Sequence, residues 1–336
     1  MEDKILERQL IRKRRARIRK RKRQIISIGS LLLIIFLIGS CSRQKIHNKK
    51  LSKMNLGPAM EWYIDNNLGL VSNKKLKSSF DIAKIPLTKV NSLKGHFLVK
   101  GSNHQNMASA YAYNAGEINS YIKNNSYKGN QKIVFLTFDD GPNTNITPKI
   151  LDVLKENNVH ATFFLVGKSI NKKHYKIMKR ILDEGNSIAT HSYTHDYKTL
   201  YPGRVCDPGA ILNEVKATDQ RLAEFFGPNF KSSVFRYPGG HMSWENTASA
   251  DSALKNYGVN WIDWNTLVGD AEVKSQRPTT AEGQVAYVEK NLAKNSNTKI
   301  AVVLAHDATG KELTVESLPE VINYFKSEGY KFGILK

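Results

Sequence analysis

Leu136-Thr137-Phe138-Asp139-Asp140-Gly141-Pro142-Asn143 is the stretch on which the fold turns. An apolar run, 133–138, stops abruptly in two acids followed by Gly-Pro. That pattern predicts a buried strand carrying two carboxylates to its C-terminal mouth. Two neighbouring carboxylates can divide the work, one ligating a metal and one staying free as a base, when their environments separate their pKa values. An acidic turn after a strand looks the same when read alone, because Asp is common in turns. Partners further along the chain decide between the two.

Strand and helix signals alternate outward from this point. Strands are predicted at 133–138, 161–166, 187–190, 234–236, 259–263, 299–304 and 331–335. Helices are predicted at 147–157, 172–183, 209–226, 245–257, 280–293 and 315–328, several stopped by Gly or Gly-Pro. This alternation specifies an α/β fold with a parallel sheet and outer helices, closed or nearly closed into a deformed (β/α) barrel of about seven strands.

The chain of 336 residues carries a net charge of +21, but unevenly. Residues 1–24 hold 12 basic and 3 acidic side chains, 25–130 hold 14 and 4, and 131–336 hold 25 and 23. The C-terminal domain is nearly neutral, which removes the basis for a nucleic-acid groove around the acids. Nothing in the sequence points to a protein partner. The two cysteines, Cys41 and Cys206, fall in regions of different character and are not expected to pair.

The order of the N-terminal segments predicts an export topology. A basic leader, 1–24, precedes an apolar run, 25–41, that would span about 26 Å as a helix, close to a bilayer core. Positive charge before it predicts a single-pass signal-anchor in the cell membrane, with a cytoplasmic N-terminus and an extracellular remainder. Ile38-Gly39-Ser40-Cys41 resembles a lipobox and keeps a lipoprotein anchored at Cys41 as the alternative. Residues 42–130, rich in Lys, Asn and Ser, read as a basic stalk or small extracellular subdomain ahead of a catalytic domain at 131–336.

The strand ends then supply the partners. After 187–190 come His191 and His195, four apart, which share a face if the segment makes a helical turn. With one carboxylate they make a two-His, one-carboxylate set that leaves coordination positions open, as catalytic metals require. Arg236-Tyr237-Pro238-Gly239-Gly240 follows the next strand. An Arg there can pair with a carboxylate, and glycines let backbone N–H groups approach a substrate oxygen. Asp263-Trp264 follows 259–262, and His306-Asp307 follows the apolar run that ends in Leu304-Ala305. His160 beside a core strand and His174 on a surface helix read as structural. Trp244, Trp261 and Trp264 are candidate sugar-stacking walls, Trp264 first among them.

These residues carry a family resemblance. TFDDGP, HSYTH, RYPGG, IDW and LAHD, in that order, resemble the five motifs of the polysaccharide deacetylases with the NodB homology domain, carbohydrate esterase family 4. The match covers about residues 131–336 and is most similar to Gram-positive peptidoglycan N-acetylglucosamine deacetylases. The resemblance implies that Asp140, His191 and His195 hold a divalent metal, zinc in the first place, with cobalt or manganese as alternatives. It implies that Asp139 is the general base, that Arg236 pairs with it, and that His306 protonates the leaving amine with Asp263 orienting its imidazole. The Gly239 N–H would help hold the oxyanion, and Tyr237, Trp264 and Leu304 would contact substrate. Gly239 stands where the third motif usually has Tyr, which implies a wider groove. The expected reaction is hydrolysis of N-acetyl groups on the N-acetylglucosamine of a cell-wall glycan polymer. Deacetylation of an exopolysaccharide, an O-acetyl esterase and a non-catalytic glycan-binding module are the alternatives.

Overall fold

The computed structural model describes Leu98 and residues 100–336. The predicted leader, the apolar run 25–41 with Cys41, and the stalk up to residue 97 lie outside the described residues. No helix among the described residues is long and apolar enough to cross a membrane. In chain order the elements are β1 (Ala112–Tyr113), α1 (Ala115–Asn124), β2 (Ile133–Asp139), α2 (Ile146–Glu156), β3 (Ala161–Leu165) and α3 (Tyr175–Asp183). There follow β4 (Ser187–Thr190), α4 (Tyr197–Leu200), α5 (Pro208–Phe226), β5 (Val234–Phe235), α6 (Ala248–Tyr257) and β6 (Asn260–Trp261). The last are β7 (Thr266–Leu267), α7 (Ala281–Leu292), β8 (Ile300–His306), α8 (Glu312–Ser327), β9 (Lys331–Phe332) and β10 (Ile334–Leu335).

Seven parallel strands in the order β6-β5-β4-β3-β2-β8-β7 form a curled sheet. Strand β9 pairs with the start of β2, while β3 pairs with its latter half. Because β6 and β7 end the sheet without pairing to one another among the described residues, the predicted barrel is a half-barrel. At the centre β2 is buried at every residue and β8 at all but His306, as strands covered on both faces must be.

Alternation along the strands sorts the side chains. Ile133 and Phe135 face inward with Phe164, Ala189, Val234, Ile300 and Val302, and the same face of β2 continues through Thr137 to Asp139. Phe235 and Tyr237 face outward, packed against Ile211 and Val215 of α5 and Ala250 and Leu254 of α6. Each such large apolar side chain stabilises the fold by about 1.5–3 kcal/mol when fully buried.

The catalytic unit begins earlier than the sequence predicts, since Leu98–Lys336 forms one compact unit. Strand β1 pairs in parallel with β10 at the C-terminus, and the Ala115 N–H donates to the Lys336 carbonyl at 3.0 Å. Ala115 and Ile118 of α1 enter the inner core cluster. Residues 98–130 are therefore part of the domain and not of the stalk. Besides β1 and α1, two elements within 131–336 escaped prediction, α4 and β7, and the second of these matters for the site.

Candidate active site

Strand β2 delivers both acids to one place with opposite surroundings. Asp139 is 2% exposed and accepts a 2.9 Å hydrogen bond from Arg236 Nη1. Asp140 turns into the cleft, its backbone at φ +78°, a left-handed conformation that Asp tolerates better than most side chains. Its Oδ1 lies 3.7 Å from His191 Nε2 and 3.4 Å from His195 Nε2. The three donor atoms of Asp140, His191 and His195 all fall within 4.8 Å of one another.

That spacing fits a divalent cation. A tetrahedron with bonds of about 2.1 Å has edges of about 3.4 Å, close to the two distances from Asp140. The His191 Nδ1–H donates to the Arg236 carbonyl at 2.9 Å, so Nε2 is left as the bare acceptor, and burial pulls His191 below the ordinary histidine range, toward the neutral ligand form. The two histidines do not share a helical turn. Ser192 and His195 take positive φ, at +59° and +56°, and the loop closes through a bond from the His195 N–H to Ser192 Oγ at 2.9 Å. Glu214 of α5 pins the loop, accepting from the Tyr193 and Thr194 N–H groups at 3.0 and 3.1 Å and from the Thr194 hydroxyl.

Arg236 is fully buried and uses its whole fork. Beyond Asp139, Nη1 donates to Thr137 Oγ1 at 2.7 Å, Nε to the Ile262 carbonyl at 3.1 Å and Nη2 to the Asp263 carbonyl at 3.2 Å. Its guanidinium carbon stands 4.1 Å over the Phe164 ring. A planar guanidinium with this many fixed acceptors holds the Asp139 carboxylate in one orientation.

On the opposite wall His306 ends β8, and its partner is Asp270. The His306 Nδ1–H donates to Asp270 Oδ1 at 2.7 Å and the His306 backbone N–H to Oδ2 at 2.9 Å; the Thr314 hydroxyl donates to Oδ2 at 2.8 Å. Burial pushes Asp270 up, but His306, Lys311 and Thr314 bring it below the usual carboxylate range on balance. Burial likewise lowers His306, and the bond and charge of Asp270, with Asp139 and Asp140, raise it overall.

Two predicted roles are corrected here. Asp263 does not orient His306. Ile262 belongs to the inner core and Trp264 lines the cleft, so alternation turns Asp263 away, where its Oδ1 accepts the His241 N–H at 3.0 Å and ties down the loop after Gly239-Gly240. Tyr237 is not a substrate contact. It follows Arg236 on the outward face, is fully buried, and donates its hydroxyl to Asp251 Oδ1 at 2.8 Å. The sequence signal for Asp270 was the run 265–268 ending in Gly269-Asp270, a strand hidden by its shortness.

Asp139, Asp140, His191, His195 and His306 line one cleft of about 320 Å³, together with Gly239, Trp264 and Leu304. Asp270 and Tyr197 line it too, and neither stands among the residues the sequence marks out. Gly239 sits at φ +78°, and among the described residues no backbone carbonyl accepts from its N–H. Trp244 and Trp261 pack against Tyr201 and His241, at 3.8 and 3.7 Å between ring centres. His160 and His174 bond the Glu184 and Ser169 carbonyls, in structural positions.

Comparison with known proteins converges on one family. Residues 126–262 match the family model described as polysaccharide deacetylase. A peptidoglycan-N-acetylglucosamine deacetylase of Bacillus cereus is 30% identical over 204 residues, which is 60% of this chain and 86% of that protein. The solved structure of a Streptococcus mutans CE4 esterase is 45% identical and covers 72% of this chain and 99% of its own, with a TM-score of 0.69. The catalytic domain of peptidoglycan N-acetylglucosamine deacetylase from Eubacterium rectale is 28% identical, over 62% of this chain and 90% of its own, with a TM-score of 0.52. The chain belongs to the polysaccharide deacetylase family, the carbohydrate esterases of family 4, and is a hydrolase of the amide-cleaving kind.

Proposed function

We propose that this protein is a metal-dependent deacetylase that hydrolyses the N-acetyl groups of N-acetylglucosamine in cell-wall peptidoglycan, releasing acetate and leaving a free amine. The observation that carries the reading is the pairing of two unlike walls: a free carboxylate, Asp139, beside a three-donor cluster, and an imidazole backed by a carboxylate, His306 and Asp270, across the same cleft.

Asp140, His191 and His195 would hold a divalent cation, zinc as proposed, which would supply Lewis acidity toward the acetamide carbonyl and the attacking water. Asp139, oriented by Arg236, takes the proton from that water as the oxygen attacks. The Gly239 N–H donates to the carbonyl oxygen as it gains charge. His306, raised and aligned by Asp270, gives its proton to the amide nitrogen as the C–N bond breaks.

Acetate release from peptidoglycan, with zinc and with chelator, tests this directly. Chelator-sensitive release that is greatest from peptidoglycan is the expected result; release that survives removal of all metal would sink the mechanism. The S. mutans relative is described as an esterase, and the same groups would cleave an acetate ester. An alkoxide leaves without prior protonation more readily than an amine. His306→Asn should therefore depress amide cleavage far more than ester cleavage, and an equal loss on both would mean that His306 is not the proton donor to the leaving group.

The location follows as part of the same proposal. The domain is proposed to lie outside the cell, tethered to the membrane, a reading supported by the basic leader, 1–24, and the apolar run, 25–41. Protease added to intact cells should remove the domain, and its survival there with loss after lysis would reverse the topology.

A further inference from the structure

Tyr197 opens α4, two residues beyond His195, and has no part in the roles above. It lines the cleft and is 44% exposed, unusually open for an aromatic ring in a folded domain. The ring is held in place. It lies 5.3 Å from the His195 ring and meets the Trp244 indole edge-on at 5.2 Å. That indole stacks on Tyr201 with planes 8° apart, and its Nε1–H donates to the Pro238 carbonyl at 2.8 Å. Tyr197 is thus the exposed face of a rigid aromatic wall.

The Tyr197 hydroxyl, which makes no hydrogen bond among the described residues, stands over Gly239. A methyl carbon added to Gly239 would lie 3.2 Å from that hydroxyl oxygen and 3.1 Å from the Trp244 ring. The space left by the missing side chain at 239 is therefore covered from another loop, and the groove is not simply wider, as the sequence implies. One half-exposed ring and one free hydroxyl face the cleft beside the metal-site histidine and the backbone N–H that receives the substrate oxygen.

We infer that Tyr197 is the specificity-determining sugar contact of this cleft, its ring taking the apolar C–H face of the N-acetylated pyranose and its hydroxyl bonding a sugar hydroxyl. A pyranose offers one such face, and an aromatic body with a polar tip matches it. The inference rests on the deacetylase reading, since the sugar is the one whose acetamide reaches His306.

The test uses the full-length chain, with chitotetraose as the probe. Tyr197→Ala should raise the KM for deacetylation about tenfold, with kcat reduced less than twofold, and should weaken equilibrium binding of chitotetraose to the metal-free protein by a similar factor. Tyr197→Phe should weaken binding about threefold, the share of one neutral hydrogen bond. Metal content should equal that of the wild type in both. An unchanged KM and binding constant in Tyr197→Ala would overturn the inference. Loss of metal from that variant would also overturn it, because the ring would then act through His195. A wild-type protein that releases no acetate from chitotetraose or peptidoglycan would overturn the deacetylase reading instead, and binding without turnover that still depends on Tyr197 would leave the sugar contact standing.

Discussion

The metal wall and the acid wall of the cleft are made from strands of different regularity. On the metal wall β2 and β4 run for seven and four residues, buried throughout, and end directly in Asp139, Asp140 and His191. On the acid wall β8 is equally regular, but the partner of its His306 comes from the far side of β6 and β7, strands of two residues each. A long buried strand names its ligands by where it stops. A two-residue strand leaves the chain free to turn, and the residue that reaches the site is then set by packing around it.

The support for the acid wall shows where this comparison can be broken most completely. Helix α1 packs against β6 and β8, with Ile118 in contact with the inner core cluster that includes Ile262, Ile300 and Val302. The same segment also reaches the metal wall, where the Ile188 N–H of β4 donates to the Asn103 carbonyl at 3.0 Å and Tyr113 meets Phe135 of β2 edge-on. A chain beginning at residue 131 would leave this surface open and β10 without its partner β1. It should lose its cooperative thermal transition, while a chain beginning at residue 98 keeps it; calorimetry on the two decides. A normal transition from the shorter chain would mean that the acid wall stands unaided.

The next largest effect belongs to the metal wall alone. Asp139→Asn keeps the shape but removes the base, and turnover should fall by roughly 10²–10⁴ with the metal retained. Metal loss in this variant, measured by atomic absorption, would show that Asp139 and Asp140 exchange roles.

The acid wall offers a contrast within itself. Asp270→Asn should lower kcat by about 10²-fold, and Asp263→Asn should cost less, acting only through the loop it ties at His241. Their pH profiles separate them further. His306 is raised above the ordinary histidine value, chiefly by its bond to Asp270 set against burial. In its proposed role of general acid it must carry its proton, so activity should fall as pH rises through its folded pKa. Removing the Asp270 carboxylate lowers that pKa and moves the alkaline limb to lower pH. Asp263→Asn should leave the limb in place, and a shift there instead would restore the role the sequence implies for it.

The same contrast explains what was legible. The alternation that names 133–138, 161–166 and 187–190 as strands also puts Asp139, Asp140 and His191 at one mouth, because regular strands carry their period into the site. His306 is readable for the same reason, at the end of the seven residues of β8, whereas Arg236 follows only the two residues of β5 and is named by the run Arg236-Tyr237-Pro238-Gly239-Gly240. The resemblance gives Asp263 to His306 through the Ile-Asp-Trp motif, whereas Asp270 follows only Thr266–Leu267, too short to show a period. Tyr237 enters the site only through the resemblance, although one residue along a strand reverses the face. Residues 98–130 read as stalk because they are rich in Lys, Asn and Ser, while Ala115 and Ile118, with Tyr113, Tyr121, Ile122 and Tyr127 against the same cluster, do the packing.

Glu214 carries the smallest expected effect and the sharpest reading of the metal wall. Regular strands place His191, but His195 is brought in by a loop with two positive-φ residues, each costing of order 1–3 kcal/mol unless its surroundings enforce it. The Glu214 carboxylate enforces it, accepting from two consecutive backbone N–H groups between the histidines. Both bonds go to Oε2, while the Thr194 hydroxyl bonds Oε1. Gln at this position is nearly isosteric, and with its oxygen toward the two backbone N–H groups and its amide N–H toward the hydroxyl it keeps the contacts but loses their charge assistance. Glu214→Gln should therefore weaken zinc binding by about 10–100-fold, the range for groups that orient ligands without touching the metal. Competition with a chromophoric chelator measures it. The melting temperature should change little, since α5 keeps its apolar contacts with the core. Zinc affinity equal to wild type would mean that the loop holds His195 by its own backbone, and that the metal wall is more fully self-supporting than its one irregular segment implies.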